Sequence, residues 1–244
     1  MAVPYYVAGG SGVGASSGNI TVPEPSYTTG DIIVVIAATW NPDDLTCSAT
    51  GVEDNSETAD TFELIYTGNG SDEGLISVWA GRVTGTLGTI TVAGATESIV
   101  ARAFSVRGAP SSGAFLGSEA AVPGYTILYP STSTTVSFSA LTTGANDEMV
   151  VLCGGWDDNT NVLSRDTGNL TEDYFYYGTT SQGSDSGYGI LFGTLAAAGS
   201  IGSPTFTLAN AEHYGSCFFT IIPAPASGSK VPAMDNAYRQ RRAA

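Results

Sequence analysis

Hydrophobic positions in this chain come in short unbroken runs, not at helical spacing. The stretch from Thr28 to Asp44 reads TTGDIIVVIAATWNPDD: a polar turn, an apolar run from Ile32 to Thr39, then Trp40 and a cluster of Asn, Pro and Asp. Runs rich in Val and Ile and bounded by turn residues predict a strand buried on both faces. Trp40 closes that strand. Asn41-Pro42-Asp43-Asp44 opens a loop, because Pro fixes φ and Asn and Asp bond to their own backbone.

A looser version of the phrase returns from Thr142 to Thr160 as TTGANDEMVVLCGGWDDNT. Trp156 follows Trp40 by 116 positions, Thr142 follows Thr28 by 114, Gly183 follows Gly70 by 113 and Phe218 follows Phe104 by 114. After each Trp and its acidic loop comes a short aromatic strand, FELIYTGNGSDEG or EDYFYYGTTSQGSDSG, and then a longer one, LISVWAGRV or YGILFGTLA. A Thr-rich strand (GTITVAG, SPTFTLAN) and an apolar closing strand (IVARAFSV, GSCFFTII) complete each half. Between the halves, Thr135 to Phe138 alternates apolar and polar residues as a strand does. These elements predict an all-β chain with minimal helix: a single jelly-roll-like antiparallel β-sandwich over residues 20–225, with half repeats at about 28–109 and 142–225. Residues 1–19, which include the glycine run GGSGVG, are expected to form an N-terminal arm, and residues 226–244 a basic C-terminal arm.

Composition sharpens this picture. The chain has 244 residues, 31 of them Gly, and only 13% are charged, as many short strands and tight turns require. No apolar run approaches the ~18 residues that cross a bilayer as a helix. The N-terminus, MAVPYYVAGGSG, lacks the basic and apolar regions of a secretory signal, so the product is expected to be made and kept in the cytoplasm until it is released or assembled. Cys47, Cys153 and Cys217 are odd in number and widely spaced, which predicts buried free thiols, not a disulfide framework or a zinc site. Glycosylation triplets at Asn19, Asn69 and Asn169 are what a Ser- and Thr-rich chain produces by chance.

Charge is unevenly spread. Residues 1–229 carry four cations against 22 carboxylates, net −18, whereas residues 230–244 carry four cations against one carboxylate, net +3. Such a body repels nucleic acid and anionic membrane, and neither is expected as a partner. The tail, with Lys230, Met234, Tyr238, Arg239, Arg241 and Arg242, is suited to docking on an acidic partner surface or on a second copy.

The succession of IIVVIAATW after Gly-Asp, VWAGRV, ARAFSVRGAP, MVVLCGGW and the closing FFTIIPAP resembles a group of phage-encoded β-sandwich proteins. Members of that group serve as virion accessory proteins: head decorations, head fibres or tail appendages. The resemblance covers most of residues 20–225 and lies in strand hydrophobics and turn glycines, so it carries no functional residue with it. Ala145-Asn146-Asp147-Glu148 departs from the plain Gly-Asp of the first half. The resemblance implies a non-enzymatic structural protein of a virion that decorates or cements the outer capsid surface through its arms. It also implies capsid or tail proteins as partners and a homo-oligomer. The alternative is a carbohydrate-binding module on a tail or fibre.

Candidate chemistry is sparse. Gly14-Ala15-Ser16-Ser17-Gly18 has nucleophile-elbow spacing but lacks the strand-turn-helix setting that makes the motif work. The single histidine, His213, cannot build a metal site without carboxylates. Asp43-Asp44 and Asp157-Asp158 fall at matching places after the two Trp residues. They are the weak candidates for a structural calcium, since no DxDxDG loop is present and solvated turns are the default explanation for such residues. No other cofactor is expected. Trp40, Trp156, Tyr174 and Tyr176 are the aromatic candidates for stacking on a sugar or lining a subunit interface. A polysaccharide hydrolase would need two carboxylates across a cleft, a spacing that sequence does not reveal.

Overall fold

The computed structural model describes residues 3–40, 45–67, 76–117, 125–140, 142–180 and 185–225. Among them every regular element is a strand, and every ladder is antiparallel.

In the first half, β1 (Tyr5–Gly9), β2 (Val13–Ala15) and β3 (Gly18–Val22) precede β4 (Ile32–Thr39), the apolar run of the opening phrase. There follow β5 (Thr46–Ser48), β6 (Val52–Glu53), β7 (Glu63–Thr67), β8 (Ile76–Val83), β9 (Ile90–Ala95) and β10 (Ile99–Arg107). The second half contains β11 (Tyr125–Ser137), β12 (Glu148–Trp156), β13 (Val162–Asp166), β14 (Thr171–Thr180), β15 (Ser186–Leu195) and β16 (Thr205–Ile221). The expected separate Thr-rich and closing strands of this half are continuous in β16.

The strands form a seven-stranded sheet along β1-β10-β4-β8-β6, a six-stranded sheet along β11-β16-β12-β15-β14, and a three-stranded sheet β3-β9-β5. Each large sheet draws its described strands from one half, and the two sheets face each other. Ile32, Val34, Ile36 and Phe104 of the first half pack with Met149, Val151, Phe192 and Phe219 of the second in one shared core. The other face of β4, with Ile33, Val35 and Ala37, is covered by Ile20, Val22, Ile90 and Val92 of the three-stranded sheet. The other face of β12, with Val150, Leu152 and Trp156, is covered by Val136 of β11 and Phe206 and Leu208 of β16. The central strands are therefore apolar on both sides because each is a middle layer. Full burial of each such aliphatic or aromatic side chain contributes about 1.5–3 kcal/mol. Gly154 and Gly189 admit the fold-over, since a Cβ at either would lie 3.0–3.1 Å from Val136 or Phe206.

The sequence offset does not carry from face to face. Val35 and Val151 are 116 positions apart, yet Val35 faces the three-stranded sheet and Val151 faces the shared core. A change of one residue in phase moves every side chain of a strand to its opposite face. With both faces apolar, either phase buries β12, so the sequence pattern left the choice open.

Turns and ion pairs fix the sheets. Before β4, Gly30 has φ 93°; before β12 the corresponding left-handed position is taken by Asp147, φ 61°, which explains how Asn-Asp-Glu replaces Gly-Asp. The buried Asp31 carboxylate accepts two hydrogen bonds from Arg107, each 2.8 Å, and a third from the Thr28 backbone N–H. Arg82, fully buried on β8, pairs with Glu53 at 3.0 Å, donates to the Gly113 carbonyl and lies over the Phe115 ring. It thereby pins the segment that leads from one half to the other. Residues 1–19, expected as an arm, instead contain β1 and β2, paired to β10, and the start of β3, paired to β9. Tyr5, Tyr6 and Val13 supply strand-forming side chains that the surrounding glycines had masked in the sequence.

Candidate functional site

The facing edges of the two large sheets leave a cleft of about 780 Å³. On one side stands the short strand β2 with the preceding Gly12; on the other stands β14, the last strand of its sheet. Strand alternation sends Tyr174 and Tyr176 inward against the shared core and Phe175 and Tyr177 to the opposite face. Among the described residues Gly12, Val13, Gly14, Val100, Tyr176, Gly178 and Tyr188 line the cleft, and Phe175 and Tyr177 meet it through the backbone of β14.

Tyr188 is fully buried, with the Arg102 guanidinium beside its hydroxyl. Burial pushes that hydroxyl well above the usual phenol range, with the neighbouring Tyr176 acting in the same direction and Arg102 against it. The Arg102 guanidinium lies 3.5 Å from the centroid of the Tyr176 ring and 5.2 Å from that of Phe104. Cations over aromatic faces are attracted by the ring quadrupole, so Arg102 fixes Tyr176 from behind. Gly12 lies above the hydroxyls: a Cβ there would be 3.7 Å from Tyr176 Oη and 3.9 Å from Tyr188 Oη.

A second polar cluster surrounds the end of β12. Asp157, buried, accepts from the His213 backbone N–H at 3.2 Å through Oδ1, and its Oδ2 lies 2.6 Å from His213 Nδ1. The Thr160 hydroxyl donates to Glu212 Oε1 at 2.9 Å and accepts from Asn210 at 2.9 Å, while the Trp156 indole N–H donates to the Thr160 carbonyl. Desolvation raises the Glu212 carboxyl above its ordinary range, and the hydrogen bond from Thr160 opposes the rise.

The residues marked in the sequence divide unevenly. Trp156 is fully buried in the outer core, so it is neither a sugar platform nor an interface residue; Gly187 leaves room for its indole. Trp40, just past β4, is half-buried. Tyr174 stacks on Tyr6 with centroids 3.8 Å apart and is held against the core. Tyr176 does line the cleft, but the exposed ring of that run is Tyr177, 37% accessible. Asp43 and Asp44 lie outside the described residues, as do Lys230, Met234, Tyr238, Arg239, Arg241 and Arg242. Both oxygens of Asp157 are engaged by His213, and Asp158 caps the Asn159 N–H at 2.6 Å. Among the described residues no group of three or more His, Cys, Asp or Glu is placed to hold a metal ion. Cys153 and Cys217 are free, buried and directly opposite each other in register, and Cys47 is free and half-buried.

Arg102, Tyr188 and Gly12 had no signal of their own in the sequence. Only pairing of β2 with β10 and of β14 with β15 brings them together. No protein-family model matches the chain, and neither the curated proteins nor the solved structures include a significant match to it.

Proposed function

We propose that this chain is a non-enzymatic structural protein of a phage particle, carried on the outer surface and attached through its basic C-terminal segment. One observation supports the non-enzymatic part of this reading. Among the described residues, several groups able to do chemistry hold the fold together: Asp157 with His213, Glu212 with Thr160, Asp31 with Arg107 and Arg82 with Glu53. Catalytic groups need a free lone pair or proton facing substrate, whereas these side chains join strands. The resemblance of the core pattern to phage accessory proteins supplies the setting. A body of net −18 with a tail of net +3 supplies a means of attachment to an acidic capsid or tail protein, or to a second copy. The reading includes no cofactor, no nucleic acid and no membrane. Immunogold labelling of intact particles from the phage that encodes the chain tests it: label on the outer surface is expected, and particles free of the chain would overturn it.

A second reading, a carbohydrate-binding module on a tail or fibre, is favoured by one specific observation, the cleft beside β14 with the Tyr176 ring in its wall.

A further inference from the structure

We propose that the open edge of β14 is a self-association surface, where two copies of this chain pair β14 with β14, antiparallel about a two-fold axis, and so continue the six-stranded sheet from one molecule into the next. Such pairing gives the expected homo-oligomer a surface and depends on neither the phage nor the carbohydrate reading.

β14 is the last strand of its sheet, ten residues long, and β15 takes one of its sides. Among the described residues no backbone group bonds to its other side. Alternate N–H and C=O groups of the strand therefore point outward and form a template for a further strand. The other three terminal strands of the large sheets are blunted: β6 has two residues, β1 follows Pro4 and bulges after Tyr6, and β11 contains Pro130. β14 has neither Pro nor Lys, and its one irregularity lies near its start, between Glu172 and Tyr174.

Charge, exposed apolar side chains and area name a second copy as the occupant. Two bodies of net −18 repel, so they can meet only where the surface is locally neutral. Tyr174 to Thr180 carries no charge, the Glu172 carboxylate pairs with Arg165, and that of Asp173 accepts from the Tyr6 N–H. An antiparallel pair about an axis near Tyr176 and Tyr177 aligns this neutral stretch with itself and leaves the carboxylates at its ends. Tyr177 is exposed on β14, and Leu163 of β13 is 68% accessible. Arg165, two residues after Leu163, pairs with Glu172 and lies over the Phe175 ring, which places β13 on the same edge of the molecule. A second copy would cover both apolar side chains. At ~3.3 Å per residue β14 is ~33 Å long, and two layers ~10 Å apart make the face ~20 Å deep. That is roughly 650 Å² per copy and roughly 1,300 Å² in all, within the ~1,200–2,000 Å² of stable specific interfaces.

Sedimentation equilibrium of the full-length protein, with hydrogen exchange at low and high protein concentration, tests this surface. A dimer is expected, tighter as salt screens the acidic bodies, with β14 amides that gain protection as concentration rises. Tyr177→Asp should raise the dissociation constant about tenfold, because like charges then face each other near the axis, and Leu163→Asp should raise it by a smaller factor. Both side chains are exposed, so the unfolding midpoint of the monomer should stay unchanged. Mixing Tyr177→Asp with Tyr177→Lys should restore a mixed dimer, which damage to the fold would not do. A chain that stays monomeric up to about 1 mM would overturn self-association. A dimer indifferent to both substitutions, with β14 amides unchanged, would overturn this surface. A monomer whose β14 amides are protected only by an added extended peptide of alternating Thr and Val would overturn the second copy as occupant and assign the edge to strand addition by another protein.

Discussion

Phe192 of β15 is fully buried in the shared core, with its ring centroid 5.5 Å from that of Phe104 and 5.7 Å from that of Tyr6, both from the other half of the chain. Phe192→Ala therefore opens a cavity between the two large sheets. The neighbouring backbones are locked in ladders on both sides and cannot collapse into the space, so the loss should fall within the usual range for buried Phe→Ala, about 3–5 kcal/mol. For a chain of this size each kcal/mol moves Tm by about 2–4 °C, which gives a fall of about 6–20 °C. Native-state hydrogen exchange separates the halves: amides of β4 and β8 report the first and those of β12 and β15 the second. If the shared core joins them into one cooperative body, all four strands lose protection by the same amount. Loss confined to β12 and β15, with β4 and β8 unchanged, would refute that reasoning and make the halves tandem domains.

Three further outcomes are expected. Gly187→Ala would place a Cβ 2.3 Å from Trp156 Nε1 and 3.0 Å from the Asp158 carbonyl, so it should destabilise the fold by about 1–3 kcal/mol and red-shift Trp fluorescence; an unchanged urea midpoint would contradict this packing. Glu212 has its folded carboxyl raised above the unfolded value, so the folded state holds the extra proton and stability falls as pH rises from the ordinary carboxylate range through the raised one; Glu212→Gln, compared with wild type by chemical denaturation across pH, should remove that slope. Burial pushes the Cys47 thiol up to about 12, leaving about a thousandfold less thiolate at neutral pH than an ordinary thiol, so alkylation by iodoacetamide should be slow and still accelerating above pH 10.

What the sequence revealed depended on whether a signal was local. Ile32–Thr39 was legible as a doubly buried strand because its turn residues and β-branched run lie within a dozen positions. The aromatic run on β14 was legible as strand, and alternation separated its faces, but which face met a partner sheet depended on distant residues. Hence Tyr174 and Tyr176 were marked where Tyr177 is the exposed ring. Trp40 and Trp156 looked equivalent because the flanking phrases match; a shift of phase between two-faced apolar strands leaves no trace in hydrophobicity. β1 and β2 were obscured by glycine, and they become strands because β10 offers them an edge. The His213–Asp157 contact spans 56 positions and arises only where β16 returns beside β12.

Attachment of the acidic body by the basic tail is the central functional claim, and one binding experiment addresses it directly. Purified full-length protein and a version ending at residue 228 would each be sedimented with particles of the encoding phage that lack the chain, at low and high salt. The account predicts that the full-length protein co-sediments, that the shortened one stays in the supernatant, and that binding weakens as salt rises. Equal co-sedimentation of both, or of neither, would contradict it.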